Sequence, residues 1–173
     1  MIHLYCGDGK GKTTAAVGLT VRAAGRGRKI IFAQFMKSSS SGELNIFQNI
    51  ENVTVMRAAG NEKFTFQMNS EERRTAAADN QALFENVEKA AAQGVDMVVL
   101  DEAVTAVERG MLDEDKLKAF VGVFNEPGDG RELVLTGSLP ELWMIESADY
   151  VTDMEKIKHP FDKGTAAREG VEY

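Results

Sequence analysis

The chain has 173 residues, of which 43% are hydrophobic and 27% charged, and this length and composition are typical of one globular domain over residues 1–173. No apolar run approaches the roughly 20 residues of a membrane span, so a membrane-spanning protein is excluded. The single cysteine, Cys6, cannot form an intrachain disulfide. Because the first predicted strand starts at Ile2 with no signal peptide before it, we expect a cytoplasmic protein and no membrane partner.

The net charge of −7 is distributed unevenly along the chain. Residues 1–37 contain seven cations and the single anion Asp8, so this region carries +6 and the remainder carries −13. A localised basic region in an acidic protein suits a small polyanion, whereas nucleic acid requires a broader basic face. We therefore expect no nucleic-acid partner. The cations Arg22, Arg26 and Arg28 could contact a nucleotide or a partner chain, but a solvated helix end is the default interpretation.

The predicted strands and helices alternate along the chain. The continuous apolar centre of the second strand, at residues 29–35, is typical of a strand covered on both faces. Strands are predicted at 2–6, 29–35, 52–56, 95–100, 131–136 and 150–154, and helices at 12–24, 43–50, 70–93, 112–124 and 140–147. This order predicts a three-layer α/β/α fold with a mostly parallel sheet. Ligands of such sheets bind at the carboxyl ends of the strands.

Residues 7–14 have the composition of a phosphate-binding loop. Glycines allow backbone N–H groups to point at an anion, Lys12 adds a positive charge, and the Thr13 hydroxyl can hold Mg²⁺. A strand before the loop and a helix after it are the required context, because a helix N-terminus attracts phosphate. The first glycine of the usual pattern G-x-x-x-x-G-K-[ST] falls on Cys6, but an ordinary glycine-rich turn would not explain Gly-Lys-Thr-Thr at a helix start. The predicted nucleotide-binding residues are Gly7, Asp8, Gly9, Lys10, Gly11, Lys12, Thr13 and Thr14.

Asp101 and Glu102 follow the most apolar of the predicted strands. A carboxylate at this point can bind Mg²⁺ directly or through water, and Mg²⁺ prefers hard oxygen ligands. The alternative is an acidic pair at the start of the next helix. We expect Thr13, Asp101 and Glu102 to form the metal site, with Glu102 as the direct ligand, and the whole chain to adopt a P-loop NTPase-like, RecA-like fold.

Several separated segments together resemble the ATP:corrinoid adenosyltransferases of the phosphate-loop type. The family sequence Gly-Asn-Gly-Lys-Gly-Lys-Thr-Thr differs from residues 7–14 only at Asp8, and it lacks the same first glycine. The other similar segments cover nearly the whole chain and are Gln34-Phe35-Met36-Lys37, Gly42-Glu43, Leu100-Asp101-Glu102, Leu135-Thr136-Gly137, residues 146–154, Lys158-His159-Pro160-Phe161 and Gly170-Val171-Glu172.

The resemblance implies a reaction in which Co(I) of a reduced corrinoid attacks C5′ of ATP and intact triphosphate departs. Because Co(I) is itself a strong nucleophile, the protein would position the substrates and stabilise the leaving group. Lys12 and Lys10 would act as catalytic residues by neutralising the triphosphate together with Mg²⁺. The implied partners are ATP, cobalamin or a corrinoid precursor, an electron-donating flavoprotein and a second copy of the chain.

The chain departs from the family pattern at several positions. Ser138 stands where the family usually has Arg, and Phe64-Thr65-Phe66 stands where the family has Phe-x-Trp. We expect Phe64 and Phe66 to form an apolar wall for the corrinoid, with core packing as the alternative. His159 is expected in a C-terminal cover rather than as a cobalt ligand, because an axial nitrogen would oppose the Co(I) state.

Two other functions compete with adenosyl transfer. A phosphate-loop ATPase or kinase would release phosphate or ADP instead of triphosphate. A non-catalytic paralogue would bind nucleotide or corrinoid without adenosylating the corrinoid, which the absence of Arg at Ser138 makes conceivable.

Overall fold

A computed structural model describes residues 1–37, 41–58, 67–126, 128 and 130–171. These residues form a six-stranded sheet in the order β3-β2-β4-β5-β1-β6, and all five neighbouring pairs are parallel. The strands are β1 (Ile2–Cys6), β2 (Ile30–Gln34), β3 (Val53–Arg57), β4 (Met97–Asp101), β5 (Glu132–Thr136) and β6 (Tyr150–Asp153).

Helices cover both faces of the sheet, and together they confirm the predicted three-layer α/β architecture. The helices are α1 (Lys12–Ala24), α2 (Gly42–Phe47), α3 (Ser70–Ala91), α4 (Ala103–Glu108), α5 (Glu114–Phe124) and α6 (Leu142–Ser147). Residues of α1 and α2 pack into one core cluster, whereas residues of α3, α4, α5 and α6 pack into the other. Within the part of the chain described, no helix is long and apolar enough to cross a bilayer.

The two faces of β1 belong to different layers of the core. Ile2, Leu4 and Cys6 pack into the cluster that contains α3 to α6. His3 and Tyr5 project from the opposite face, since side chains alternate along a strand. In β2 and β4 all five residues are buried, which explains their continuous apolar sequences.

The predicted element boundaries are close to those observed, with two informative differences. A capping box starts α3, because Asn69 and Glu72 exchange side-chain and backbone hydrogen bonds. Helix α4 was absent from the predicted elements; its six residues begin directly after Glu102 and are too few for a helical period to emerge. A 3₁₀ turn at Pro160–Lys163 was also not predicted.

Candidate functional site

The phosphate-binding loop joins the carboxyl end of β1 to the start of α1. Gly11 directly precedes α1 and has a φ of 122°, a backbone conformation that residues other than glycine rarely adopt. Its carbonyl oxygen accepts a hydrogen bond from Ala15 N at 2.8 Å. The first amides of α1 therefore face the loop, as phosphate binding at a helix N-terminus requires.

Gly9 packs against the chain that leaves β6. Gly9 N donates to Met154 O at 2.6 Å, and a Cβ built on Gly9 would meet this same oxygen and come within 2.9 Å of the carbonyl carbon of Glu155. Asp8 contributes a second link, because its Oδ1 accepts from Lys156 N at 3.0 Å. The loop is thus held against residues 154–156 as well as by its own helix.

Lys12 lies inside the loop. Its Nζ donates to Gly7 O and to Gly9 O, both at 2.7 Å. The ammonium group is thereby held at the centre of the concave loop, where a phosphate oxygen could replace one of the carbonyl partners. Lys10 is outside the loop but lines the same cavity, and its Nζ donates to Val171 O at 3.3 Å.

The Asp101 carboxylate lies fully buried beneath the loop, at the end of β4. Its Oδ1 accepts from the hydroxyls of Thr13 at 2.9 Å and Thr136 at 2.8 Å. Its Oδ2 accepts from Gln34 Nε2 and from Lys37 Nζ, each at 3.1 Å. A buried carboxylate is stable only when it is paired and hydrogen-bonded, and here four donors from β2, β5, α1 and the segment after β2 satisfy this one.

An unusual backbone conformation accompanies Lys37. The preceding residue, Met36, has φ of 61°, and its N–H donates to the side chain of Asn80 at 3.1 Å. The Lys37 ammonium lies 3.1 Å from Asp101 Oδ2 and 3.4 Å from Thr13 Oγ1. Strained non-glycine residues of this kind concentrate at functional sites, and this one accompanies a cation at the predicted metal site.

Glu102 is the other non-glycine residue with positive φ among those described, at 63°. Its N–H donates to Thr136 Oγ1 at 2.8 Å, which fixes the backbone next to Asp101. Its side chain is half-buried and lines the cavity beside the loop. The two adjacent carboxylates therefore differ: Asp101 is enclosed by protein donors, whereas Glu102 faces the space that a ligand would occupy.

A cavity of about 480 Å³ opens in front of the loop, at the carboxyl ends of the strands. Ser41 and Glu43 form part of its wall, and they are hydrogen-bonded to each other at 2.6 Å. Most of the predicted nucleotide-binding residues contribute to the lining, which is formed by Gly9, Lys10, Gly11, Lys12, Thr13, Thr14, Val17, Lys37, Ser41, Gly42, Glu43, Glu102, Gly170 and Val171.

Ser138 supports the loop through its main chain. Its carbonyl oxygen accepts from Gly7 N at 3.0 Å, and its N–H donates to Thr105 Oγ1 at 3.2 Å. Gly137 before it has no room for a side chain, because a Cβ there would come within 2.6 Å of Val104 Cβ. Replacement of the family's usual Arg by Ser therefore leaves this backbone support in place.

The C-terminal segment reaches the cavity at a different point from the one expected. Gly170 and Val171 line the cavity, whereas Phe161 is 72% exposed and residues 158–161 are not part of the lining. His159 Nδ1 accepts from Phe161 N at 3.2 Å, which caps the 3₁₀ turn. This ring nitrogen has a structural role in the turn.

The structure brings some of the predicted site residues together and does not describe others. Thr13, Asp101 and Glu102 lie side by side, although they were predicted from separate motifs, while Phe64 and Phe66 lie outside the described residues. The predicted site residues did not include Gln34, Lys37, Glu43 and Thr136, whose side chains surround Asp101 or line the cavity. Gln34 and Thr136 end β2 and β5, and Lys37 follows β2, so their position at the carboxyl ends of strands was the signal that could have found these three, whereas Glu43 belongs to α2.

Two ionisable groups of β1 are perturbed by their surroundings. Burial raises the pKa of the Cys6 thiol above its ordinary value of 9.0, and the Asp153 carboxylate adds to this increase, while Lys12 opposes it. Burial also raises the pKa of the Tyr5 phenol above 10.0, with Arg22 acting in the opposite direction. Cys6 is therefore a protonated, unreactive thiol at neutral pH.

Comparison with known proteins gives a consistent result over the full length. The family model described as ATP:corrinoid adenosyltransferase BtuR/CobO/CobP matches residues 1–173. A corrinoid adenosyltransferase from Pseudomonas aeruginosa is 35% identical over 179 residues, which cover 100% of this chain and 83% of that protein. The corresponding protein from Salmonella typhimurium is 31% identical over 175 residues, covering 100% and 85% of the two chains.

A solved structure shares the fold at much lower sequence similarity. A KaiC-like protein from Pyrococcus horikoshii superimposes with a TM-score of 0.50 at 15% identity, covering 91% of this chain and 74% of that protein. This similarity supports the P-loop NTPase-like fold alone.

Proposed function

Because the chain belongs to the ATP:corrinoid adenosyltransferase family, whose members transfer an adenosyl group to a corrinoid, we propose that it moves the 5′-deoxyadenosyl group of ATP onto the Co(I) of a reduced corrinoid. A Co–C5′ bond forms with both electrons from Co(I), which becomes Co(III). The C5′–O bond breaks, and its electron pair leaves with intact triphosphate. The observation that carries the proposal is the family match over residues 1–173, and the Thr13–Asp101 hydrogen bond of 2.9 Å beneath a glycine loop supports its nucleotide site.

The loop is the element that would hold the triphosphate. The Lys12 ammonium, held 2.7 Å from two loop carbonyls, would exchange a carbonyl partner for phosphate oxygens. Backbone amides at the start of α1 would add donors whose positions are fixed before the reaction. Because the leaving group gains charge as the C5′–O bond breaks, donors arranged in advance would lower the barrier without reorganisation.

The donor set near the loop fits Mg²⁺, which prefers oxygen ligands and is usually held by one or two carboxylates together with phosphate oxygens and water. Thr13 and Glu102 would provide the protein oxygens, while Asp101, already bonded to four donors, would orient Thr13 and Lys37. When bound, the metal would neutralise part of the triphosphate charge.

The remaining expectations belong to the same proposal. The corrinoid would be cobalamin or a precursor, and Phe64 and Phe66 would contact it. An electron-donating flavoprotein would deliver the reduced corrinoid state, and the chain would act as one domain, in the cytoplasm, and form a homodimer.

The decisive experiment is incubation of the protein with ATP, Mg²⁺ and chemically reduced cobalamin. We expect a light-sensitive adenosylated corrinoid by absorbance and one equivalent of triphosphate by ³¹P NMR. Phosphate or ADP as the phosphorus product would instead support an ATPase or kinase. Tight ATP binding without any adenosylated product would support a non-catalytic binding protein.

A further inference from the structure

A second cavity lies at the opposite end of the sheet from the phosphate-binding loop. Its volume is about 280 Å³, and it lies between the C-terminal part of α1 and the amino ends of β1, β4, β5 and β6. The side chains relevant to its chemistry are His3, Arg22, Arg26, Arg28, Glu132 and Tyr150. None of these residues has a part in the proposed adenosyl transfer.

Three arginine residues line this cavity, and all three are exposed to solvent. Arg22 belongs to the last turn of α1, and Arg26 and Arg28 follow after the helix has ended, around Gly27 with φ of 75°. In the ranges that the structure describes, none of the three pairs with a carboxylate. A cation in a final helical turn is stabilised by the helix dipole, which accounts for Arg22 but not for two further arginines on the same cavity.

The floor of the cavity is an ordered aromatic pair. The rings of His3 and Tyr150 are stacked with centroids 4.8 Å apart and an interplanar angle of 17°. His3 Nε2 is 3.1 Å from Glu132 Oε2, and the two side chains are only 16% and 22% exposed. Among the described lining residues, the one carboxylate, that of Glu132, is therefore engaged by His3, which leaves the guanidiniums available to a ligand.

We infer that this cavity is a binding site for a small phosphate-bearing anion with at least two negative charges, such as pyrophosphate or the phosphates of a nucleotide. Arginine forms bidentate, charge-assisted hydrogen bonds with phosphate, and three such groups in one small cavity suit a polyanion. The volume is near the lower end for small-molecule sites, which favours a compact ligand over a protein segment. The exposed Tyr150 ring offers a stacking surface if the ligand carries a base.

The site is separate from the phosphate-binding loop. The two cavities share no lining residue, and His3 and Gly7 lie four residues apart along an extended strand, a separation of roughly 13 Å. The protein has two histidines, His3 and His159, and His159 lies near the C-terminus in the exposed turn described above. Their imidazole NMR signals therefore report on two different regions in one sample.

The test is a titration of ¹⁵N-labelled protein with sodium pyrophosphate at constant pH and ionic strength. We expect the His3 signals to move and saturate in the millimolar range or below, while the His159 signals stay in place. Arg22→Gln combined with Arg26→Gln should raise the dissociation constant about tenfold or more, because charge-assisted hydrogen bonds are lost. Arg73→Gln combined with Arg74→Gln removes the same charge from exposed positions of α3 and should leave the dissociation constant unchanged.

Three further measurements identify the site of the His3 response and the kind of ligand that causes it. Repeating the titration on Lys12→Ala should give the same His3 response; loss of the response would mean that it originates at the loop and would overturn the second site. ADP that binds more tightly than pyrophosphate would identify a nucleotide ligand, whereas equal or weaker binding would identify free polyphosphate. The proposal would be overturned if the His3 signals did not move with pyrophosphate, or if both arginine double variants weakened pyrophosphate binding equally. It would also be overturned if the His3 signals moved only with poly-glutamate, a result that would assign the surface to an acidic protein.

Discussion

The hydroxyl of Thr13 donates a hydrogen bond of 2.9 Å to the carboxylate of Asp101, a residue 88 positions away in the sequence. Helix α1 packs against β1, β5, β4 and β2, and its first turn lies beside the end of β4, where Thr13 meets Asp101. This hydrogen bond couples the phosphate-binding loop to the buried polar cluster around Asp101. Several expected effects of substitutions depend on this coupling.

The substitutions Asp101→Asn and Glu102→Gln should have different effects, because we propose that Asp101 supports the site and that Glu102 binds the metal. Asp101→Asn weakens four hydrogen bonds, two of them buried, and leaves the Lys37 ammonium without its counterion, so we expect a loss of about 1–3 kcal/mol in the free energy of unfolding together with a large loss of turnover. Glu102→Gln should leave unfolding unchanged but raise the Mg²⁺ concentration needed for half-maximal activity. Urea denaturation and Mg²⁺-dependent kinetics measure both effects, and the reverse pattern would make Asp101 the direct ligand.

Lys12→Ala should lower turnover by roughly 100-fold or more, because one fixed donor to the departing triphosphate is lost. Lys10→Ala serves as the control for charge, since the Lys10 ammonium donates to the Val171 carbonyl rather than to the loop carbonyls, and its effect should be smaller. Kinetics with reduced cobalamin and saturating ATP compare the two variants. Turnover at the original rate in Lys12→Ala would contradict the role proposed for this residue.

Gly9→Ala should abolish nucleotide binding, because a Cβ there would overlap Met154 O and displace the loop from residues 154–155. Gly18→Ala provides a matched control in α1, where a Cβ would meet nothing within 4 Å. This second change should preserve ATP binding and stabilise the protein by roughly 0.5–1 kcal/mol, since alanine favours a helix over glycine. Calorimetric ATP titrations and thermal unfolding measure these effects; normal ATP affinity in Gly9→Ala would show that the loop tolerates displacement.

Phe66→Ala should impair corrinoid handling more than ATP binding if Phe66 contacts the corrin ring. The measurements are the yield of adenosylated product at fixed reductant and the dissociation constant of ATP, each compared with the unsubstituted chain. An equal loss of both would indicate misfolding and would leave no support for an apolar wall at this position.

Stability should decrease in alkaline solution. Burial raises the folded-state pKa of Cys6 and Tyr5 above their ordinary values of 9.0 and 10.0, so the unfolded chain releases these protons first as pH rises. The free energy of unfolding therefore falls from about pH 9 upwards through the folded-state pKa values. Cys6→Ala should reduce the difference in urea midpoint between about pH 8 and about pH 10.5, and an undiminished difference would show that other groups dominate.

The sequence by itself determined the alternation of elements and the identity of the loop. The continuous apolar run at β2 predicts a strand covered on both faces, the apolar run at β4 predicts a buried strand, and Gly-Lys-Thr-Thr before a helix predicts a phosphate-binding loop from local chemistry alone. Asp101 and Glu102 could be recognised because they directly follow an apolar strand. These features depend on neighbours in the chain, so periodicity and residue type are sufficient to find them.

The tertiary structure alone decided how these pieces meet. The strand order places β5 between β1 and β4, and no local sequence pattern determines that order. Because β5 lies beside β4, Thr136 forms hydrogen bonds with both the Asp101 carboxylate and the Glu102 amide. The different environments of the two adjacent carboxylates and the gathering of three arginines with His3 and Tyr150 likewise arise from residues distant in sequence. Such contacts depend on the packing of whole elements, which residue spacing along one segment does not encode.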